Sequence, residues 1–216
     1  MMKDFAMENG ILTGCNPDIV KADIPDGVTA IGKCAFAGCV SLKTVTIPNS
    51  VTSIEEEAFL ECFSLEEITI PNSVTSIENS VFYRCESLKS IEIPNSVTTI
   101  GNCAFAGCVS LKTVTIPNSV TAIGKCAFAG CVSLKTVTIP NSVTSIEEEA
   151  FLECFSLEEI TIPNSVTSIE NSVFYYCENI MIQCNRNSYA AEYAKKNNIP
   201  CELNDTPKHK AHDMEM

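Results

Sequence analysis

The stretch CAFAGCVSLKTVTIPNSVT runs from Cys34 to Thr52, and the same nineteen letters return at Cys103 and at Cys126. Its Ile47-Pro48 pair belongs to a longer series: Ile24-Pro25, Ile47-Pro48, Ile70-Pro71, Ile93-Pro94, Ile116-Pro117, Ile139-Pro140 and Ile162-Pro163 follow one another at intervals of 23 residues. A constant period of this length, with Leu, Val, Ile and Cys at set places, is the pattern of a solenoid. Each unit shelters its apolar side only by stacking on the next.

In the unit 51–73, VTSIEEEAFLECFSLEEITIPNS, the inward positions are Val51, Ile54, Ala58, Phe59, Cys62, Leu65, Ile68 and Ile70. The alternation around Ile68 and Ile70 predicts a short strand over residues 67–70, ended by Pro71, which has no N–H for the ladder. Ala58, Phe59 and Cys62 have helical spacing, which predicts a turn or two of α or 3₁₀ helix behind it. Val51 to Ile54 is a candidate second strand. Stacking then aligns like with like. Cys39, Cys62, Cys85, Cys108, Cys131, Cys154 and Cys177 form one column, and Phe36, Phe59, Phe82, Phe105, Phe128, Phe151 and Phe174 another. Asn49, Asn72, Asn95, Asn118, Asn141 and Asn164 form a third, expected to be a ladder of side-chain amides bonding backbone groups at the turns.

The columns account for the cysteines. Thirteen is an odd count, and seven of them sit between core Phe and Leu positions, where a free thiol acts as a small hydrophobe. Cys34, Cys103 and Cys126 add C-x4-C pairs, but five residues of helix put the two sulfurs on different faces and no His stands near, so no metal site is expected.

At this point the chain resembles the BspA-like leucine-rich repeats, whose unit reads IPxSVTxIGxxAFxxCxxLxxVx. The match is continuous from Ile116 to Cys131 and extends over residues 24 to about 182. The resemblance implies a right-handed leucine-rich-repeat β/α superhelix with short parallel strands and short helical or 3₁₀ turns. It also implies a protein-binding module of bacterial or protozoan surface molecules, and it brings no catalytic residues.

The organisation expected is a capping hairpin and half repeat in 1–23, seven repeats in 24–182, a capping helix and strand in 183–203, and a mobile tail in 204–216. Asn9-Gly10 between apolar runs signals the hairpin. The seventh repeat shortens, by three residues on this reading, before a strand at Ile180–Ile182. SYAAEYAKKNNIP then has Ser188 as N-cap, lysines in its last turn and Asn then Pro at its exit, the signals of a helix, with Ile199 to Leu203 as an edge strand.

The chain has 216 residues, 45% of them hydrophobic, and a formal net charge of -13. No apolar run reaches the ~20 residues of a membrane span. The charge repels a phosphate backbone, so neither nucleic acid nor membrane is an expected partner. Residues 1–14 have no apolar core or cleavage site of a secretory signal, which predicts a cytoplasmic address; a secreted or cell-surface one is the alternative if a signal has been removed.

The residues 28–86 recur at 120–178 with Arg84 replaced by Tyr176. From residue 28, the charges per repeat are +2, -6, -1, +1, +2, -6 and -1. Glu55, Glu56, Glu57, Glu61, Glu66 and Glu67 are therefore expected to form one acidic belt, and Glu147, Glu148, Glu149, Glu153, Glu158 and Glu159 an identical one, either a solvated face or a dock for a basic partner or Ca²⁺. On the strand face the outward positions are Thr44 and Thr46, Glu67 and Thr69, Ser90 and Glu92, Thr113 and Thr115, Thr136 and Thr138, Glu159 and Thr161. This polar strip is able to bond an extended ligand, but it has no Trp, Tyr or Arg cluster to anchor one tightly.

The only histidines are His209 and His212, which with Asp213 fall in the tail, so no catalytic triad can be built. The function expected is a noncatalytic protein-binding scaffold, and the resemblance implies a relation to adhesion. Its contact surface is either the Thr strip or the acidic belts, its protein partner is unspecified, and it needs no cofactor. A structural spacer or self-assembling coat component is the alternative; an enzyme is set aside for want of a base. A monomer with weak self-association is the expected state.

Overall fold

The computed structural model describes residues 4–204; His209, His212 and Asp213 lie outside them. The chain opens with β1 (Phe5–Glu8) and β2 (Ile11–Cys15), an antiparallel hairpin. Asn9 and Gly10 both take positive φ there, 50° and 80°, the geometry a two-residue hairpin loop requires. After β3 (Lys21–Asp23) each coil supplies two strands. One set is β4 (Ala30–Ile31), β6 (Ser53–Ile54), β8 (Ser76–Ile77), β10 (Thr99–Ile100), β12 (Ala122–Ile123), β14 (Ser145–Ile146) and β16 (Ser168–Ile169). Interleaved with it are β5 (Thr44–Thr46), β7 (Glu67–Ile68), β9 (Ser90–Glu92), β11 (Thr113–Thr115), β13 (Thr136–Thr138), β15 (Glu159–Thr161) and β17 (Met181–Asn185). The helix α1 (Tyr189–Lys196) and the strand β18 (Cys201–Asn204) follow.

Every pairing from coil to coil is parallel, and within the repeats the register is one period: Thr44 faces Glu67, Ile100 faces Ile123, Val137 faces Ile160. The last full coil is short by one residue, not three. Ile182 pairs with Ile160, and the strand begins at Met181 because Ile180 stays in the buried place that Leu takes in earlier coils. Both ends of the stack are covered, by the hairpin through β2–β4 pairing at one end and by β18 pairing with β17 at the other, with α1 against β17. Ser188 caps α1, its side chain accepting from the Ala191 N–H.

Behind the strands the turn segment carries the i→i−3 bonds of a 3₁₀ helix at every second residue only, the amides between them bonding the next coil. Ala35, Ala37 and Cys39 donate to Gly32, Cys34 and Phe36 of their own coil, while Cys34, Phe36 and Gly38 donate to Glu56, Ala58 and Leu60 of the next. Residues with positive φ make this alternation possible: Cys34 and Gly38, then Glu57 and Glu61, and so on in each coil to Ser172 and Tyr176. Left-handed backbone turns alternate amides, so that along most of the stack successive N–H groups find a carbonyl either in their own coil or in the next. The cost, carried by non-glycine residues at most of these places, is of order 1 kcal/mol each.

The core is one continuous cluster. Neighbouring Phe rings stack at 5.0 to 5.8 Å between centroids, from Phe36–Phe59 to Phe151–Phe174. The cysteine column does more than fill space. Cys62, Cys85, Cys108, Cys131, Cys154 and Cys177 each donate a thiol hydrogen to the backbone carbonyl of the Phe one coil earlier, at 3.1 to 3.3 Å.

The expected asparagine ladder is elsewhere. Asn49 and its counterparts are exposed, because the turn they sit in is already closed by backbone, Val51 N–H to Pro48 carbonyl and its repeats. The amides that do bridge coils are Asn79, which accepts from the Asn102 N–H at 2.8 Å, and Asn102, which accepts from the Lys125 N–H at 2.9 Å.

Candidate protein-binding surfaces

The strand face is built by period-two alternation. Val45, Ile68, Ile91, Val137 and Ile160 point into the core, which turns their neighbours outward. Thr46, Glu67, Thr69, Thr113, Thr115, Thr136 and Thr138 are exposed, and Thr44 is half-buried. The shared register places them in rows on one side of the molecule: Thr113 opposite Ser90, Thr115 opposite Glu92, Thr136 opposite Glu159 and Thr138 opposite Thr161.

The ladder on this face is continuous over β3-β5-β7, β9-β11 and β13-β15-β17-β18, with gaps between β7 and β9 and between β11 and β13. Shallow depressions lie over the gaps. One of about 450 Å³ is lined by Thr69, Asn72, Glu92, Asn95 and Thr115 among others. The second, of about 490 Å³, is lined by Thr113, Thr115, Thr136, Thr138, Asn141 and Thr161 among others. Backbone groups released from the ladder and threonine hydroxyls together present both donors and acceptors, the chemistry that suits an extended polypeptide.

The glutamates do not form single belts. Glu67 and Glu159 lie on the strand face, whereas Glu57 and Glu61 and their counterparts Glu149 and Glu153 sit at left-handed positions of the turn segment. Much of their charge is answered one coil away. Lys33 Nζ stands 2.8 Å from Glu56 and 3.6 Å from Glu57. Lys125 Nζ stands 2.6 Å from Glu148 and 3.8 Å from Glu149. The Lys33 ammonium holds the Glu56 carboxyl below its ordinary range, and Lys89, 2.7 Å away, does the same for Glu66. Glu55 accepts from the Lys33 backbone N–H at 2.9 Å, and Glu147 from the Ser145 hydroxyl at 3.3 Å. Among the described residues, no group of three or more His, Cys, Asp or Glu is placed to hold a metal ion.

The two glutamate sets also differ, against the expectation of identical patches. Arg84 reaches Glu61 at 2.9 Å and Glu86 at 3.3 Å and lies 5.2 Å over the Phe63 ring. In the second cassette Tyr176 stands in that place and its ring lies against Tyr175 instead, tilted by 51° with the centroids 4.2 Å apart. Phe155, the counterpart of Phe63, is left 51% exposed beside Tyr175 at 56% and Tyr176 at 50%. Among the described residues Glu153, Glu158 and Glu159 have no ion pair. The single difference between the cassettes signalled this change, but only the packing shows that it uncovers an aromatic side chain.

Comparison with known proteins follows the same lines. A family model described as a BspA type leucine rich repeat region, in 6 copies, matches residues 7–131 and 98–197. A crystal structure of a leucine rich cell surface protein from Faecalibacterium prausnitzii is 31% identical, with 86% of this chain and 63% of that one covered at a TM-score of 0.56. A leucine-rich repeat protein from Bacteroides ovatus is 28% identical over 91% of this chain and 64% of its own, with a TM-score of 0.57. The chain thus spans less than two thirds of both. The leucine rich repeat protein of T. pallidum is 28% identical and superposes with a TM-score of 0.73 over 94% of this chain and 96% of its own. No curated protein matches the chain. No helix among the described residues is long and apolar enough to cross a membrane.

Proposed function

Because the chain belongs to the BspA-type leucine-rich repeat family, we propose that it is a noncatalytic scaffold whose strand face binds an extended segment of another protein. The observation that carries this reading is the ordered polar face from Thr44 to Thr161, with depressions where the ladder opens at Thr69–Glu92 and Thr113–Thr138. The glutamates are the weaker candidate, since Lys33, Lys89, Lys125 and Arg84 already answer many of them. The description of the Faecalibacterium prausnitzii relative as a cell surface protein supports display of this chain outside the cell.

The test is capture by photo-crosslinking with three purified forms: the unaltered chain, a Thr115→Arg/Thr138→Arg variant, and a Glu147→Gln/Glu148→Gln/Glu149→Gln variant. The strand-face variant is expected to lose the captured protein and the glutamate variant to keep it. Equal capture by all three forms refutes the reading.

A further inference from the structure

The thirteen thiols are not equivalent. Six column members spend their hydrogen on a Phe carbonyl one coil back. Cys34 and Cys126 donate to the carboxylates of Glu57 and Glu149 at 3.2 and 3.3 Å, in surroundings that disfavour a thiolate. Cys39, first in the column, has no full coil behind it, and in place of a carbonyl its Sγ meets Cys15 Sγ at 2.6 Å. At the opposite end Cys184 Sγ meets Cys201 Sγ at 3.1 Å, and neither residue belongs to the cysteine column.

Both pairs sit at the joint between a cap and the stack. Cys15 ends β2, the inner strand of the hairpin, and Cys39 lies in the first coil. Cys184 is on β17, the last strand supplied by the repeats, and Cys201 is on β18. Each pair combines a buried sulfur, Cys39 or Cys184, with a partly exposed one, Cys15 or Cys201. This is the arrangement thiol–disulfide exchange needs: one sulfur reachable from solvent and its resolving partner already in contact.

We propose that Cys15–Cys39 and Cys184–Cys201 are two disulfide sites, one locking each cap to the solenoid, which form when the protein meets a small disulfide oxidant such as oxidised glutathione. At each site the thiolate of Cys15 or Cys201 attacks the oxidant, and one glutathione thiolate leaves and takes up a proton. The buried partner then loses its proton and displaces the second glutathione from the mixed disulfide. One oxidised glutathione and two protein thiols become one protein disulfide and two reduced glutathiones. Burial, with the neighbouring thiol, pushes Cys201 up to about 12, so exchange at that end is slow at neutral pH and quickens as pH rises. An open-ended solenoid frays from its ends, so closing the 24-residue and 17-residue separations at those ends acts where unfolding begins.

The test uses the full chain, incubated with oxidised glutathione, then unfolded in urea and alkylated. The reduced chain takes thirteen labels; the oxidised one is expected to take four fewer. Peptide mapping is expected to give the cross-links 15–39 and 184–201, with a higher apparent thermal midpoint and slower hydrogen exchange in β1, β2 and β18. A Cys15→Ser/Cys201→Ser variant should keep every remaining thiol free and show neither gain. A full complement of labels after oxidation, or cross-links that join other cysteines such as Cys103 and Cys126, overturns the proposal; a map lacking one bond overturns it for that end. The map of the unaltered chain decides the matter even where the variant folds poorly.

Discussion

The ring of Tyr193 meets Phe174 edge-on, at 6.1 Å between centroids and 72° between planes, where the column before it runs nearly parallel from ring to ring. Phe5 closes the other end against Phe36 in the same way, at 6.3 Å and 73°. A parallel stack would leave a bare face at each end, and an edge-on ring from a residue outside the repeat covers it. Removing a middle ring should therefore differ from removing an end one. Phe105→Ala is expected to cost about 3 to 5 kcal/mol and weaken the whole stack. Tyr193→Ala is expected to cost about 2 kcal/mol and to speed amide exchange mainly in β15 and β17. Urea titration with hydrogen exchange distinguishes them, and uniform loss of protection in the Tyr193 variant would contradict the end-cap role.

The buried thiols predict an alkaline weakness. Burial pushes Cys108 from 9.0 up to about 12, and raises Cys62, Cys85 and Cys131 in the same direction. In this window the unfolded chain gives up protons that the folded chain keeps. Stability is thus fully present below the unfolded value of 9.0 and falls as pH climbs towards about 12. Each such thiol contributes roughly 1.4 kcal/mol per pH unit to the slope. Urea midpoints above pH 9 should fall steeply, and Cys108→Ala should make the slope shallower by one proton.

Arg84 and Tyr176 occupy equivalent places and do different things. Arg84→Tyr is expected to uncover Phe63 and cost roughly 0.5 to 1 kcal/mol at low salt. Tyr176→Arg should return a similar amount by covering Phe155, with Glu153 and Glu178 as the counterparts of Glu61 and Glu86. Both changes should shrink as salt is added. Unchanged urea midpoints in both variants would mean that the cation contributes nothing at either place.

The left-handed position at the end of each turn segment gives a further contrast. Gly130 has φ 70°, with only the Gly107 backbone at 3.6 to 3.7 Å, an ordinary contact, where a Cβ would stand, and Glu153 has φ 57° one coil later. Gly130→Ala is expected to cost about 1 kcal/mol, and Glu153→Gly to gain about 0.5 to 1 kcal/mol. Thermal or urea midpoints moving in the same direction for both would refute the account.

The repeated Ile-Pro and Cys columns were enough to read off the stack, the Phe and Cys columns, the hairpin at Asn9-Gly10 and the helix after Ser188, because each follows from a rule that acts within a few residues or at the repeat period. The strip from Thr44 to Thr161 was also legible, since alternation decides which side of a strand faces water. The glutamates misled: counting charge per unit takes each repeat alone, and Lys33, Lys89 and Lys125 neutralise from the neighbouring coil.

By itself, then, the order of residues determined the period, the direction of stacking and the identity of the buried columns, because a unit too short to enclose its own core can only lie against its copies. Tertiary structure alone decided where the regularity ends. It set Cys39 against Cys15 and Cys184 against Cys201, left Phe155 uncovered, and opened the ladder beside Thr69 and Thr113. These depend on distances between chain segments and on small departures of one coil from the next, which no repeat unit encodes in its own letters.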